Sequence, residues 1–201
     1  MYIIGLNGSP QKDGNTAFLL ENALQAAKDK GAKIELIHAA SCLVGLKNPF
    51  CIQCAPVCDH RCIKGTILEE VYNKMRKCDG LLIASPVYFG TVSGQLKAFW
   101  DKTRIMRKEK ALYNVVGGAL AVGASRFGGQ ETTLAALQEM MLVQGMTVVG
   151  DGYAEDDCGH GGAAAQKPSD QDEYGLKRAA VIGKRVAEVA LATRHLRLGR
   201  E

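Results

Sequence analysis

Short apolar runs and amphipathic runs alternate along the chain. Tyr2-Ile3-Ile4-Gly5-Leu6 is nearly continuous in apolar residues, the pattern of a strand buried on both faces. From Asn15 to Lys30, Leu20, Ala23, Leu24 and Ala27 recur at intervals of three and four, which makes one apolar face of a helix. Lys33 to Ile37 reads as a second strand, Ile67 to Lys77 as a helix and Gly80 to Ala84 as a third, buried strand. Ser93 to Thr103 is again helical, with Leu96, Phe99 and Trp100 along one side. Ala119 to Val122 predicts a fourth strand, Gln130 to Val143 a long helix, Met146 to Val149 a fifth strand and Asp172 to Thr193 a last helix. The mildly polar segment 151–170, with a glycine-rich loop from Gly159 to Gly162 and then Pro168, is expected to be mobile or to order on binding.

Strands alternating with helices predict an α/β fold: a five-stranded parallel sheet with right-handed crossovers and helices on both faces. No repeat and no linker marks a second unit, so residues 1–201 are expected to form one domain, with a cysteine-bearing insertion at about 42–65. Sheets of this kind bind ligands at the carboxyl ends of their strands, near the switch in strand order. Function is therefore expected in the loops after the first, third and fourth strands.

Composition changes this picture little. Hydrophobic residues at 47% and charged residues at 23% exclude a disordered chain. The longest weakly polar stretch, Val115 to Ala124, is about half the roughly 20 residues that a membrane span needs. With no basic, apolar leader before Tyr2, a cytoplasmic protein with no membrane partner is expected. Twenty-five Lys and Arg against 21 Asp and Glu give a net charge of +4, too mild to argue for nucleic acid. Arg194, Arg197 and Arg200 read as a solvated helix terminus.

The loop after the first strand is Gly8-Ser9-Pro10-Gln11-Lys12-Asp13-Gly14-Asn15-Thr16. It has neither the Walker ending nor the G-x-G-x-x-G spacing. It is rich in hydroxyls, amides and small residues and opens straight into a helix. Backbone N–H groups at such a helix start, joined by Ser9, Thr16 and Asn15, suit a phosphate monoester, and Lys12 adds one positive charge. The alternative is an ordinary strand-to-helix turn with Asn15 as its cap. After the third strand comes Ser85-Pro86-Val87-Tyr88-Phe89-Gly90. Two aromatics and a glycine at a sheet rim offer stacking area and close backbone approach to a planar ring; alternatively Tyr88 and Phe89 cover the core. The fourth-strand loop, Gly123-Ala124-Ser125-Arg126-Phe127-Gly128-Gly129-Gln130, repeats the recipe.

Seven cysteines are the unusual count, and an odd number in a reducing compartment argues against a disulfide framework. Cys42, Cys78 and Cys158 are scattered and read as small core hydrophobes. Cys51, Cys54, Cys58 and Cys62 fall within twelve residues. An iron–sulfur cluster needs about four thiolates converging from such a compact run, whereas structural zinc usually takes two knuckles set a dozen or more residues apart. A 4Fe-4S cluster, zinc or no metal remain the three alternatives.

With GSPQKDGNT at 8–16, SPVYFGTVSGQLKAFWDKT at 85–103 and GASRFGGQE at 123–131, the chain resembles the flavodoxin-like NAD(P)H-dependent FMN reductases, over roughly its whole length. The resemblance implies a flavodoxin-like sandwich with strand order 2-1-3-4-5. It implies that Ser9, Gln11, Lys12, Gly14, Asn15 and Thr16 hold the FMN phosphate. Pro86, Val87, Tyr88, Phe89 and Gly90 would border the isoalloxazine, and Ser125, Gly128 and Gly129 would approach its other edge. The branch called iron-sulfur flavoproteins carries a compact cysteine motif at this place. Cys51 and Cys54 match it directly, and Cys58 and Cys62 match with one extra residue in the loop.

The function expected is an FMN- and iron–sulfur-containing oxidoreductase that passes electrons between a two-electron donor and one-electron acceptors. NAD(P)H, a quinone or a ferredoxin would be its redox partner, and no acid–base catalytic residue is assigned. The alternatives are a cluster-free NAD(P)H-dependent FMN or quinone reductase, a flavodoxin-type shuttle, and a zinc-stapled binding module. The +4 charge counts against the shuttle, and the three rim loops count against the zinc module. A homodimer or homotetramer is expected, since flavins in this fold family commonly sit at a subunit boundary.

Overall fold

The computed structural model describes residues 1–197. In chain order, β1 (Tyr2–Asn7) leads through α1 (Asn15–Asp29) to β2 (Lys33–His38) and the one-turn helix α2 (Ala39–Cys42). After the cysteine loop come α3 (Ile67–Met75), β3 (Gly80–Pro86), α4 (Gly94–Asp101) and α5 (Arg104–Lys108). The chain continues through β4 (Val116–Gly123), α6 (Gln130–Leu142), β5 (Thr147–Val149), β6 (Ala163–Gln166) and α7 (Glu173–Thr193).

All strand pairs are parallel, in the order β2-β1-β3-β4-β5. This is the flavodoxin-like order, with its switch point between β1 and β3. Alternation along β1 divides the core: Ile4 and Leu6 pack on one face with α3, α4 and α6, and Ile3 on the other with α1 and α7. On the first face Tyr72, Phe99 and Trp100 supply the bulk, with the Tyr72 and Phe99 rings edge to face at 5.4 Å. Tyr72 keeps its hydroxyl bonded to the Phe99 carbonyl at 2.6 Å, so this fully buried tyrosine has its polar atom satisfied.

Segment 151–170 differs from its expectation. It contains a sixth strand, β6, which pairs with β4 from Leu120 to Gly123, just beyond the three residues that β5 pairs. The excursion between β5 and β6 is fastened to α7. Arg178, 2% exposed, donates to the carboxylate of fully buried Asp151 and to its carbonyl, and reaches Asp157 at 3.0 Å. The Asp151 carboxylate also accepts from the His160 N–H. The segment is therefore part of the sheet and its helix layer.

The basic end of the chain is also corrected. Arg197 is buried and donates to the Cys78 and Arg76 carbonyls, and Arg194 faces Asp79 at 3.5 Å. Arg200 lies outside the described residues. Cys42 and Cys78 are buried as expected, but Cys158 is exposed on the β5–β6 excursion. Among the described residues no helix is long and apolar enough to cross a membrane.

Candidate active site at the carboxyl rim of the sheet

Parallel strands deliver their following loops to one edge, so the loops after β1, β3 and β4 meet there, joined by specific hydrogen bonds. The Gly8 N–H bonds the Ala84 carbonyl at 2.8 Å, and the Ser93 hydroxyl donates to the Gly8 carbonyl. Ser93 also caps α4 by accepting from the Leu96 N–H at 3.1 Å, and its own N–H bonds Ser85 Oγ at 3.0 Å. One fully buried serine thus ties the first loop to the second.

In the first loop, Asn7 Oδ1 accepts from the Ser9 N–H at 2.9 Å, and Ser9 Oγ from the Gln11 N–H at 3.1 Å. These bonds curl the backbone back toward the helix start. Asn7 Nδ2 donates to His38 Nδ1 at 3.0 Å, which fixes that nitrogen as an acceptor and the ring as neutral. Burial, and then the charge of Lys12, hold the His38 pKa below its ordinary value.

The residue that caps α1 is Gly14, extended at φ −117°, and not Asn15, which is the first helical residue; the cap makes no side-chain hydrogen bond to the first turn. Uncapped helix starts leave backbone N–H donors at the positive end of the helix dipole. Asn15 is held elsewhere: its Oδ1 accepts from the Ser169 N–H at 2.7 Å, and the Ser169 hydroxyl donates to its carbonyl at 2.8 Å. That pair ties the β6–α7 turn to the first loop. Ser9 and Thr16 are buried, Gly14 and Asn15 half-buried, and Gln11 and Lys12 exposed.

The second loop is a tight turn in which Tyr88 and Thr91 exchange backbone bonds at 2.9 and 3.2 Å. Its central residues, Phe89 and Gly90, have φ of +49° and +80°, the signature of a type I′ turn. Phe89 is fully exposed and Tyr88 43% exposed, and neither belongs to the buried core. An aromatic held in the left-handed region costs about 1–2 kcal/mol, and strain of this kind clusters at ligand clamps. Pro86 and Val87 are half-buried, with the Val87 N–H on the Val122 carbonyl at 2.9 Å.

The third loop meets the second. Thr132 Oγ1 donates to the Gly90 carbonyl at 2.7 Å. Gly129, at φ +96°, comes so close that a Cβ there would lie 3.0 Å from Gly90 Cα. Buried Gln130 shapes the loop from within, donating to the Ser125 carbonyl at 2.7 Å and accepting from the Gly128 N–H at 2.9 Å. Beyond it a cleft of about 840 Å³ opens between Arg126, Phe127 and Gln130 on one side and Lys167, Gln171 and Tyr174 on the other.

The structure thus brings Ser9, Gly14, Asn15 and Thr16, the turn 86–90, and Gly128 and Gly129 to one rim. The linkers Ser93, Gln130, Thr132 and Ser169 were not singled out from the sequence. Only Ser93 carried a signal, as a serine just before an apolar helical run.

The cysteine loop lies apart from these hydrogen bonds. No helix or strand interrupts it between Cys51 and Cys62, and Gln53 and His60 adopt φ of +49° and +62°. Cys51, Cys54 and Cys62 are exposed and Cys58 half-buried. No three His, Cys, Asp or Glu side chains converge as a metal-holding group among the described residues. The donor set nevertheless fits an iron–sulfur cluster: four thiols on continuous irregular backbone, with no secondary structure to hold them apart. Arg104 anchors the loop to α5 through the Ala55 and Pro56 carbonyls at 3.2 and 2.9 Å.

Comparison with known proteins agrees with this geometry. The family model described as NADPH-dependent FMN reductase matches residues 1–161. An iron-sulfur flavoprotein of Methanocaldococcus jannaschii is 43% identical over 195 residues, covering 94% of this chain and 97% of that protein. Another, of Methanosarcina thermophila, is 35% identical over 191 residues, covering 94% and 95%. The solved structure of RosB, described with bound 8-demethyl-8-formylriboflavin-5′-phosphate, shares the fold with a TM-score of 0.77 at 14% identity, over 97% of this chain and 81% of that one.

Proposed function

This chain belongs to the NADPH-dependent FMN reductase family and is an oxidoreductase; from that premise we propose that it is a single-domain FMN protein carrying a 4Fe-4S cluster. In this reading the first loop takes the FMN phosphate. Ser9, Gln11, Lys12, Gly14, Asn15 and Thr16 supply hydroxyls, amides, a cation and backbone N–H groups. Pro86 to Gly90 flank one side of the ring system, and Ser125, Gly128 and Gly129 the other. Cys51, Cys54, Cys58 and Cys62 would hold the cluster. When bound, FMN supplies both two-electron and one-electron transfer, and a cluster supplies one-electron transfer alone.

The chain's own part is positioning. The Ser93 and Thr132 bonds fix the spacing of the three loops, so that binding does not have to order them. The exposed turn at Phe89 gives a planar ring an apolar neighbour, and the 840 Å³ cleft beside the third loop is within the size range of small-molecule sites. Electrons would pass between NAD(P)H and a one-electron acceptor such as a ferredoxin, or a quinone. A homodimer or homotetramer in a reducing, cytoplasmic setting completes the reading. The observation that carries it is the uncapped start of α1 between loops already bonded to one another.

A second reading, a cluster-free NAD(P)H-dependent FMN or quinone reductase, is favoured by the thiols' lack of convergence. Anaerobic purification decides between them. The first predicts one FMN and about four irons and four sulfides per chain, with broad absorbance near 400 nm beside the flavin bands. Flavin bands alone, with NAD(P)H oxidation intact, select the second. A colourless protein that oxidises no NAD(P)H contradicts both.

A further inference from the structure

Lys102 sits at the C-terminal end of α4 and is only 4% exposed. A buried ammonium is costly unless an anion and hydrogen-bond acceptors compensate it. Its neighbours have such partners: Lys97 pairs with Asp101 at 2.6 Å, and Arg61 with Asp59 at 3.1 Å. Lys102 has no carboxylate ion pair among the described residues, and its Nζ points at Cys62 Sγ, 3.9 Å away. Arg104, one half-turn further on, grips the same loop through two carbonyls. His60, two residues before Cys62, lies tilted against the Tyr72 ring at 5.9 Å and keeps a buried Nε2 with no hydrogen-bond partner among the described residues. The junction of α4 and α5 therefore presents two cations, Lys102 and Arg104, to a loop whose carboxylate, Asp59, is taken by Arg61 and whose remaining anionic capacity is its thiols.

We infer that Lys102 is a positioning residue whose buried ammonium donates to Cys62 Sγ and stabilises the negative charge of whatever the four thiols hold. Its effect on a cluster rests on the reading given above; its pairing with Cys62 does not. A fixed cation beside a cluster favours the more negative, reduced state, so removing it lowers the reduction potential.

The test has two parts. In iron-free protein, Cys62→Ala lowers Tm because it removes the sulfur acceptor of the buried ammonium, and this loss vanishes in the Lys102→Met background. In anaerobically loaded protein, Lys102→Met keeps its iron and sulfide content but its reduction equilibrium falls about tenfold, roughly 59 mV for one electron. Lys102→Arg restores the potential. Additive Tm shifts overturn the pairing, and a potential unmoved at full iron content overturns the electrostatic role. Wild-type protein that takes up no iron defeats the cluster reading instead, while the variant cycle still decides the pairing.

Discussion

Ser93→Ala is the most informative single perturbation of the rim. Ser93 is fully buried, and its hydroxyl makes two bonds: it accepts from the Leu96 N–H as the cap of α4 and donates to the Gly8 carbonyl in the first loop. Loss of a serine cap typically costs ~1 kcal/mol, and leaving a buried acceptor without its donor costs about 1–3 kcal/mol. The sum is roughly 3 kcal/mol, which for a chain of this length corresponds to a fall in Tm of about 6–12 °C. Because the same bond sets the spacing of the first two loops, FMN affinity should weaken about tenfold, equivalent to ~1.4 kcal/mol. Thermal unfolding by circular dichroism, with and without FMN, and a flavin-fluorescence titration measure both effects. A fall in Tm under about 2 °C together with an unchanged FMN affinity would refute the claim that this serine couples the loops.

Three further outcomes follow from the same contacts. Asp151→Ala strands buried Arg178 and should cost about 3–5 kcal/mol; adding Arg178→Met should recover much of the lost Tm, and no recovery would argue against an ion-pair origin. At Glu35, burial pushes the carboxyl pKa up, but hydrogen bonds from Lys74 and Tyr2 outweigh it and leave the pKa lowered. A lowered carboxyl pKa contributes stability above its unfolded value that is lost as pH falls through the folded one. Glu35→Gln should therefore flatten the acid side of the stability–pH curve measured by urea unfolding, and an unchanged slope would contradict this. Burial raises the Cys42 pKa to about 11, so iodoacetamide at pH 8 should label exposed Cys158 well before Cys42 when read by mass spectrometry; equal rates would contradict it.

The first five strands and the long helices were legible because buried parallel strands and amphipathic helices leave different periods in a sequence. Two misses have physical causes. β4 begins at Val116, three residues before the apolar run suggests, because Gly117 and Gly118 weaken the pattern; a side chain at Gly118 would press on Val186 at 2.8 Å and Leu82 at 3.0 Å. β6 is Ala163-Ala164-Ala165-Gln166, with no β-branched residue to announce a strand, and its place is set by pairing with β4.

The candidate site was legible as three loops of the right composition after the right strands. What binds those loops together was not. Asn15 and Ser169 meet across 154 residues, and Ser93 and Gly8 across 85, and only the folded topology creates such pairs. The buried arginines were hidden for the same reason: Arg178 and Arg197 sit in sequence contexts that suit a solvated helix, and their partners come from remote loops. The cysteine loop gave its donors plainly, but spacing alone did not show that Lys102 lies against it.

The account stands most directly on the first loop as a phosphate cradle at the start of α1. Titrating flavin-free protein with FMN and, separately, with riboflavin isolates that contribution, since the two ligands differ only in the phosphate. The account predicts saturation at one FMN per chain and an affinity at least about tenfold tighter than for riboflavin, or ~1.4 kcal/mol. Equal affinities, or no binding of FMN, would contradict it.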